Sequence, residues 1–278
     1  MGGKRPQGYT IVEAMIFLAV TSVMFVLIAG SFSGQTSKAE FTSSVRQLDS
    51  QLQDTMNDIA SGYYPVFNDI RCRAVGGGPS GQQVQFDNAP TGGQGTNQAC
   101  TYIGRVIKFT PVTVGSSSAY RIMSVAGLRT NGGAPVQNMT QASPRVVALG
   151  NQYDNYSDTI QYPPGLELKW ICYTNGCNDP EIGAFGVFST FANVSSTGGL
   201  QSGSTGVDLY PITGSSITED LDATAGNIHN LNTTSVKNPA GGITMCFEGG
   251  RNQHALIKIG GRGSNTSTFT EIIGGNCP

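Results

Sequence analysis

Apolar and polar positions change their rhythm twice along this chain of 278 residues. From Tyr9 to Gly30 the run YTIVEAMIFLAVTSVMFVLIAG is almost unbroken in its apolar character. From about Thr36 to Ser61 the apolar residues recur at intervals instead. Phe41, Val45, Leu48, Leu52, Met56 and Ile59 follow at steps of four, three, four, four and three, the repeat of one helical face. Arg46, Asp49, Gln53, Asp54 and Asp58 stand between them and predict a solvated face. No proline interrupts the stretch, and Gly62 with Pro65 marks its end.

After residue 65 the rhythm becomes that of strands. Runs rich in β-branched residues lie at 83–87, 101–110, 119–125, 145–149, 166–173, 184–191, 242–248, 254–260 and 268–273, separated by Gly- and Asn-rich turns. Their length and punctuation suit antiparallel sheet. The segments 74–99, 127–143 and 192–206 are polar and glycine-rich, and are expected to be long surface loops. The pattern predicts an α+β chain in which one helix of some 50 residues carries a β-rich head. The first half of that helix is membrane-spanning and the second half is amphipathic. Gly30 and Gly34, at the junction, suit a close-packing face, a soft point or a frayed helix.

Residues 9–30 cover 22 positions, enough at about 1.5 Å per residue to cross a hydrocarbon core of about 30 Å. Lys4 and Arg5 precede the span and no basic residue follows until Lys38. The short leader is therefore expected in the cytoplasm and the head outside. One acid, Glu13, interrupts the apolar run. A carboxylate near the middle of a span costs about 2.5–3.5 kcal/mol on insertion scales, so it needs a reason. Cleavage after Gly8 would supply one, because Tyr9 would then carry a free, positively charged amine. Glu13 lies four residues on, one helical turn away. It would pair with that amine, or with the amine of a neighbouring helix and so fix the register of packing.

Gly8, Tyr9, Glu13 and the apolar helix after them resemble the amino-terminal cleavage and methylation motif of type IV prepilins and type II secretion pseudopilins. Tyr9 departs mildly from the phenylalanine more usual in that place. The resemblance implies a dedicated prepilin peptidase that cuts after Gly8 and N-methylates Tyr9. It also implies an inner-membrane assembly platform and a helical filament of pilin or pseudopilin subunits whose core is the bundled helix. Membrane lipid would surround the helix before assembly. In these terms residues 1–8 are a leader peptide and 9–30 a transmembrane or filament-core helix. Residues 31–63 continue the helix, and 64–278 form an extracytoplasmic head. The subunit would begin as a single-pass membrane protein and end in an extracellular filament. Two plainer readings compete: a secretory signal cleaved at Ala29-Gly30-Ser31, and a simple membrane anchor.

Six cysteines, Cys72, Cys100, Cys172, Cys177, Cys246 and Cys277, all follow the span. An even number in an exported domain favours disulfides. Fifteen pairings are open, and joining sequence neighbours gives Cys72–Cys100, Cys172–Cys177 and Cys246–Cys277. Pilins often close the end of the head with a bond like the last of these. Zinc is disfavoured by the absence of CxxC spacing and the presence of only two histidines, His229 and His254. No cofactor is expected. The acidic run Glu219, Asp220 and Asp222 is a candidate for calcium but lacks EF-hand spacing.

The stretch ITMCFEGGRNQHALIKIGGRG resembles the terminal hairpin of H-type general-secretion pseudopilins and related minor pilins. Arg251, Lys258 and Arg262, with His254, are candidate DNA-binding residues, although Glu248 and Glu271 lie close by. Beyond residue 35, which leaves out Lys4, Arg5 and Glu13, 14 basic face 17 acidic side chains, a net charge of −3. DNA would thus meet only a local patch. No GxSxG, HExxH or P-loop spacing occurs, so no enzyme is expected. Asn-x-Ser/Thr sequons begin at Asn138, Asn155, Asn193, Asn232 and Asn265, and point to exposed loops. The expectation is a structural subunit, a minor pilin or pseudopilin. The alternatives are a filament-tip adhesin or DNA receptor, or a plain secreted or anchored β-rich protein.

Overall fold

The computed structural model describes residues 10–65, 67, 69–76, 81–88, 99–109, 119–163, 165–173, 183–189, 206–212, 228, 239, 241–250, 252–260 and 267–277, with the backbone alone for helical residues 29–35. Its first element is a single helix, α1 (Ile11–Ser61), of 51 residues. It runs unbroken through Gly30 and Gly34. Gly62 ends it in the left-handed conformation (φ 75°), and its N–H donates to the carbonyls of Asp58 and Ile59. A left-handed cap costs glycine nothing, because it has no Cβ to clash.

The chain then forms β1 (Ile70–Gly76), β2 (Gln82–Asn88), β3 (Cys100–Phe109) and β4 (Ala119–Leu128). A tight pair, β5 (Thr130–Asn131) and β6 (Ala134–Pro135), leads to the short helix α2 (Met139–Ala142) and to β7 (Arg145–Val146). A 3-10 turn at Tyr153–Tyr156 precedes β8 (Ser157–Gln161), β9 (Glu167–Cys172), β10 (Ala184–Ser189) and β11 (Val207–Ile212). The last strands are β12 (Ile243–Gly249), β13 (Gln253–Ile259) and β14 (Thr268–Gly274). One sheet runs in the order β11-β10-β3-β4, with β7 and β8 sharing the outer edge of β4. A second runs β14-β13-β12-β9, and β1 pairs with β2 as a separate hairpin. Every strand pairing among the described residues is antiparallel, so the chain mixes helix with antiparallel sheet, as expected.

Two cores follow from the strand alternation. The stripe Phe41, Val45, Leu48, Leu52, Met56 and Ile59 is buried throughout. It shares one core with Ile107, Phe109, Tyr120, Phe185 and Leu209 of the larger sheet and Met245, Phe247, Ile257 and Ile259 of the smaller. The opposite face of the larger sheet, with Val106, Met123 and Phe188, packs against the β1–β2 hairpin, α2 and the 3-10 turn. A third cluster, Trp170, Cys172 and Cys246, lies on the other face of the smaller sheet.

Several details differ from the sequence expectation. β1, β8 and β11 lie where no strand was expected, and 127–143 holds β5, β6 and α2 rather than only loop. The run at 145–149 contributes only two strand residues. Asp49, Gln53 and Asp58, expected on a solvated face, are half-buried. Gln53 Oε1 accepts from the Thr268 N–H at 3.3 Å, and Asp58 meets Arg105 at 3.2 Å. Asn138 is not a free loop residue either, because its side chain accepts from the Gln141 N–H as the cap of α2. Two sequence-neighbour disulfides are present, Cys72–Cys100 and Cys246–Cys277. Cys172 is also disulfide-bonded, and Cys177 lies outside the described residues.

Helix and smaller sheet pack tightly at Gly249, where an added Cβ would overlap the buried ring of Phe41. The next residue, Gly250, has open space around it. Gly249→Ala is therefore expected to lose about 1–3 kcal/mol of stability by overpacking, whereas Gly250→Ala stays within about 0.5 kcal/mol. Denaturant unfolding of the two variants side by side checks this.

Candidate functional site

The amino-terminal half of α1 is the part of the molecule that its own fold leaves unused. The window Ile11–Ile28 is long and apolar enough to cross a membrane, and none of it is buried in the protein. Ile11, Met15, Phe17, Leu18, Phe25 and Leu27 all stand exposed. Its few polar side chains are satisfied internally. The Thr21 hydroxyl donates to the carbonyl of Phe17 at 2.8 Å, and that of Ser22 to the carbonyl of Leu18 at 2.7 Å. Such back-bonding leaves no free hydroxyl donor to face hydrocarbon.

Glu13 belongs to the first turn of this helix and not to the middle of the span, so the mid-span cost overstates its penalty. Thr10 is the helix cap. Its N–H and hydroxyl donate to Glu13 Oε2 at 3.0 and 3.1 Å, and the Glu13 N–H donates to the Thr10 hydroxyl at 3.3 Å. This is a reciprocal capping box, which satisfies two of the amides orphaned at a helix start. Thr-x-x-Glu before an apolar run is a capping-box signal legible in the sequence, and it identifies Thr10 as the neighbour of Glu13. Gly8 and Tyr9 lie outside the described residues. The observed partner of Glu13 is Thr10.

At the other end α1 is fastened to the head by polar bonds as well as by its apolar stripe. Arg105 of β3 is almost wholly buried. It donates to Asp58 Oδ2 at 3.2 Å and to the Tyr63 carbonyl at 3.1 Å, and its guanidinium lies 6.0 Å from the centre of the Tyr64 ring. Tyr64 in turn stacks on Tyr102, with ring centres 5.1 Å apart. The Tyr120 hydroxyl donates to Gln51 Oε1 at 3.2 Å. These bonds tie the last three turns of the helix to β3 and β4.

Comparison with protein-family models, with curated proteins and with solved structures found no match.

Of the three candidate DNA-binding residues of the C-terminal hairpin, only Lys258 lies among the described residues. Arg251 and Arg262 lie outside the described residues, as do His229, Glu219, Asp220 and Asp222. His254 is buried, with Nε2 3.7 Å from Glu248 Oε1. Lys258 faces Thr244 and Phe269 across its two neighbouring strands. The charge beside this hairpin is an ion pair, Lys169 Nζ to Glu248 Oε2 at 2.6 Å, with Glu167 at 3.4 Å. Among the described residues no three His, Cys, Asp or Glu side chains are grouped to hold a metal.

The Lys169 hydrogen bond holds the Glu248 carboxyl below its ordinary pKa, and the same bond raises that of Lys169. The pair's contribution to stability is therefore present above the ordinary carboxylate range and lost as pH falls through the folded value of Glu248. It is lost again as pH rises through the folded value of Lys169. Lys169→Met should thus lower the melting temperature most between about pH 5 and pH 10, with the difference shrinking on either side. Thermal melts across that range check it, and a pH-independent difference would contradict it.

Proposed function

We propose that this chain is a structural subunit, a minor pilin or pseudopilin, of a type IV pilus or type II secretion-like filament. The observation that supports this is α1 itself, one unbroken helix whose second half is built into the head while its first half is apolar and wholly exposed. A helix so divided needs two environments. Membrane lipid serves the apolar half before assembly, and the same halves of neighbouring copies serve it afterwards. Exchange of lipid for helix contacts gains little from the hydrophobic effect, so packing and polar bonds must favour the bundle.

Glu13 supplies the polar bond. In the chain that still carries its leader, the Thr10 cap satisfies the carboxylate. Cleavage after Gly8 by a prepilin peptidase creates the amine of Tyr9 as a stronger, charged partner. Pairing of Glu13 with the amine of an adjacent copy then sets the axial register of the bundle. The head lies outside the cytoplasmic membrane, consistent with disulfides and with the basic residues of the leader.

Amino-terminal sequencing of the exported protein tests the reading. A mature chain beginning at N-methylated Tyr9 is expected, and a start near Phe32 would identify a removed secretory signal and end the proposal. In the same cells Glu13→Ala should insert into the membrane normally and enter filaments about tenfold less well, a loss of about 1.4 kcal/mol per contact. Filament incorporation at the wild-type level would contradict the role given to the carboxylate.

A further inference from the structure

The outer face of the smaller sheet, turned away from α1, concentrates sulfur. Trp170 and Cys172 of β9 and Cys246 of β12 form one buried cluster there, with Cys277 packed against it. Cys246 lies directly opposite Trp170 across the strands, and Cys172 directly opposite Thr244. Alternate residues of a strand share a face, so Cys172 and Cys246 are diagonal neighbours on one side of the sheet. A bulge follows Cys246 at once, and bulges loosen the local pairing. Both cysteines are oxidised. Cys246 is bonded to Cys277, and Cys172 carries another disulfide. Of the six cysteines in the sequence, only Cys177 is left to be its partner.

The two ends of the C-terminal bond differ in exposure. Cys246 is wholly buried, whereas Cys277 is half-buried just beyond the end of β14. Thiol–disulfide exchange begins when a thiolate attacks a sulfur that it can reach. A dithiol reductant arriving from solvent therefore meets Cys277 first. The sulfur it displaces is Cys246, left as a thiolate beside Trp170 and a second disulfide. Apolar surroundings disfavour that charge, and passing it on to another sulfur relieves the cost.

We propose that the Cys246–Cys277 bond is the outer half of a disulfide relay, which replaces the C-terminal clasp by a Cys172–Cys246 bond between β9 and β12. One thiolate of the reductant attacks Cys277 Sγ, breaks its bond to Cys246 and forms a mixed disulfide. The Cys246 thiolate then attacks Cys172 Sγ, forming the new bond and releasing Cys177 as the thiolate. The second thiol of the reductant displaces Cys277, and the reductant leaves as its own disulfide. Each dithiol gives up two electrons and two protons. The protein exchanges two disulfides for one disulfide and two thiols, Cys177 and Cys277. The smaller sheet stays crosslinked while the tail beyond β14 comes free of β12.

Cys277→Ser in the full chain liberates Cys246 without any reductant, and so tests the inner step alone. After denaturation in mild acid, which halts exchange, N-ethylmaleimide should label Cys177 about tenfold more than Cys246, because the sheet holds Cys172 and Cys246 at high effective concentration. Peptide mapping should recover the Cys172–Cys246 bond. Label on Cys246, with Cys172 still joined to Cys177, would overturn the proposal. The unaltered chain, given one equivalent of dithiothreitol and quenched in the same way, gives a reading that does not depend on folding of the variant. There Cys177 and Cys277 should be labelled together and Cys246 spared. Labelling of Cys246 with Cys277, or of Cys172 with Cys177, would refute the relay.

Discussion

The apolar stripe of α1 holds the head together. Six side chains from Phe41 to Ile59 enter a core to which both larger sheets turn a face. At about 1.5–3 kcal/mol for each fully buried side chain, their transfer from water is worth about 9–18 kcal/mol. The net stability of a domain is only about 5–15 kcal/mol, so the head cannot keep its fold without this helix. Met245, Phe247 and Ile257 of one sheet and Ile107, Phe185 and Leu209 of the other would otherwise face water. The second half of α1 is thus a central element of the head and not a stalk attached to it. Because the helix does not break at Gly30 or Gly34, whatever grips its first half also positions the head.

Polar bonds decide how that helix is seated, and they were the least legible part of the sequence. Asp58, Gln53 and Gln51 look like surface residues in a local window. Their partners, Arg105, Thr268 and Tyr120, lie 47, 215 and 69 residues away. No periodicity carries that information. The stripe itself was fully legible, since its spacing depends only on the helical repeat. Two disulfides joining sequence neighbours also agree with the simplest pairing.

Strand recognition failed where chemistry departs from the buried pattern. β1 carries Arg71 and Arg73, β8 reads SDTIQ, and β11 contains Asp208 and Pro211. β8 and β11 are sheet edges and β1 belongs to a two-stranded hairpin, where polar residues and proline are tolerated. At the candidate site the acid at Glu13 was evident from its setting in an apolar run. Its Thr10 partner is equally legible, as the first residue of a Thr-x-x-Glu capping box.

Continuity of α1 is the claim on which the rest depends, and a distance measurement addresses it directly. Spin labels at Val26, on the exposed apolar half, and Asp54, on the exposed flank within the head, are separated by 28 residues. An unbroken helix places them about 42 Å apart. Pulsed electron paramagnetic resonance on the full chain in lipid should give one narrow distribution near that value. A broad or much shorter distribution would show that the helix bends or melts at the glycine junction, and would contradict a rigid connection between apolar half and head.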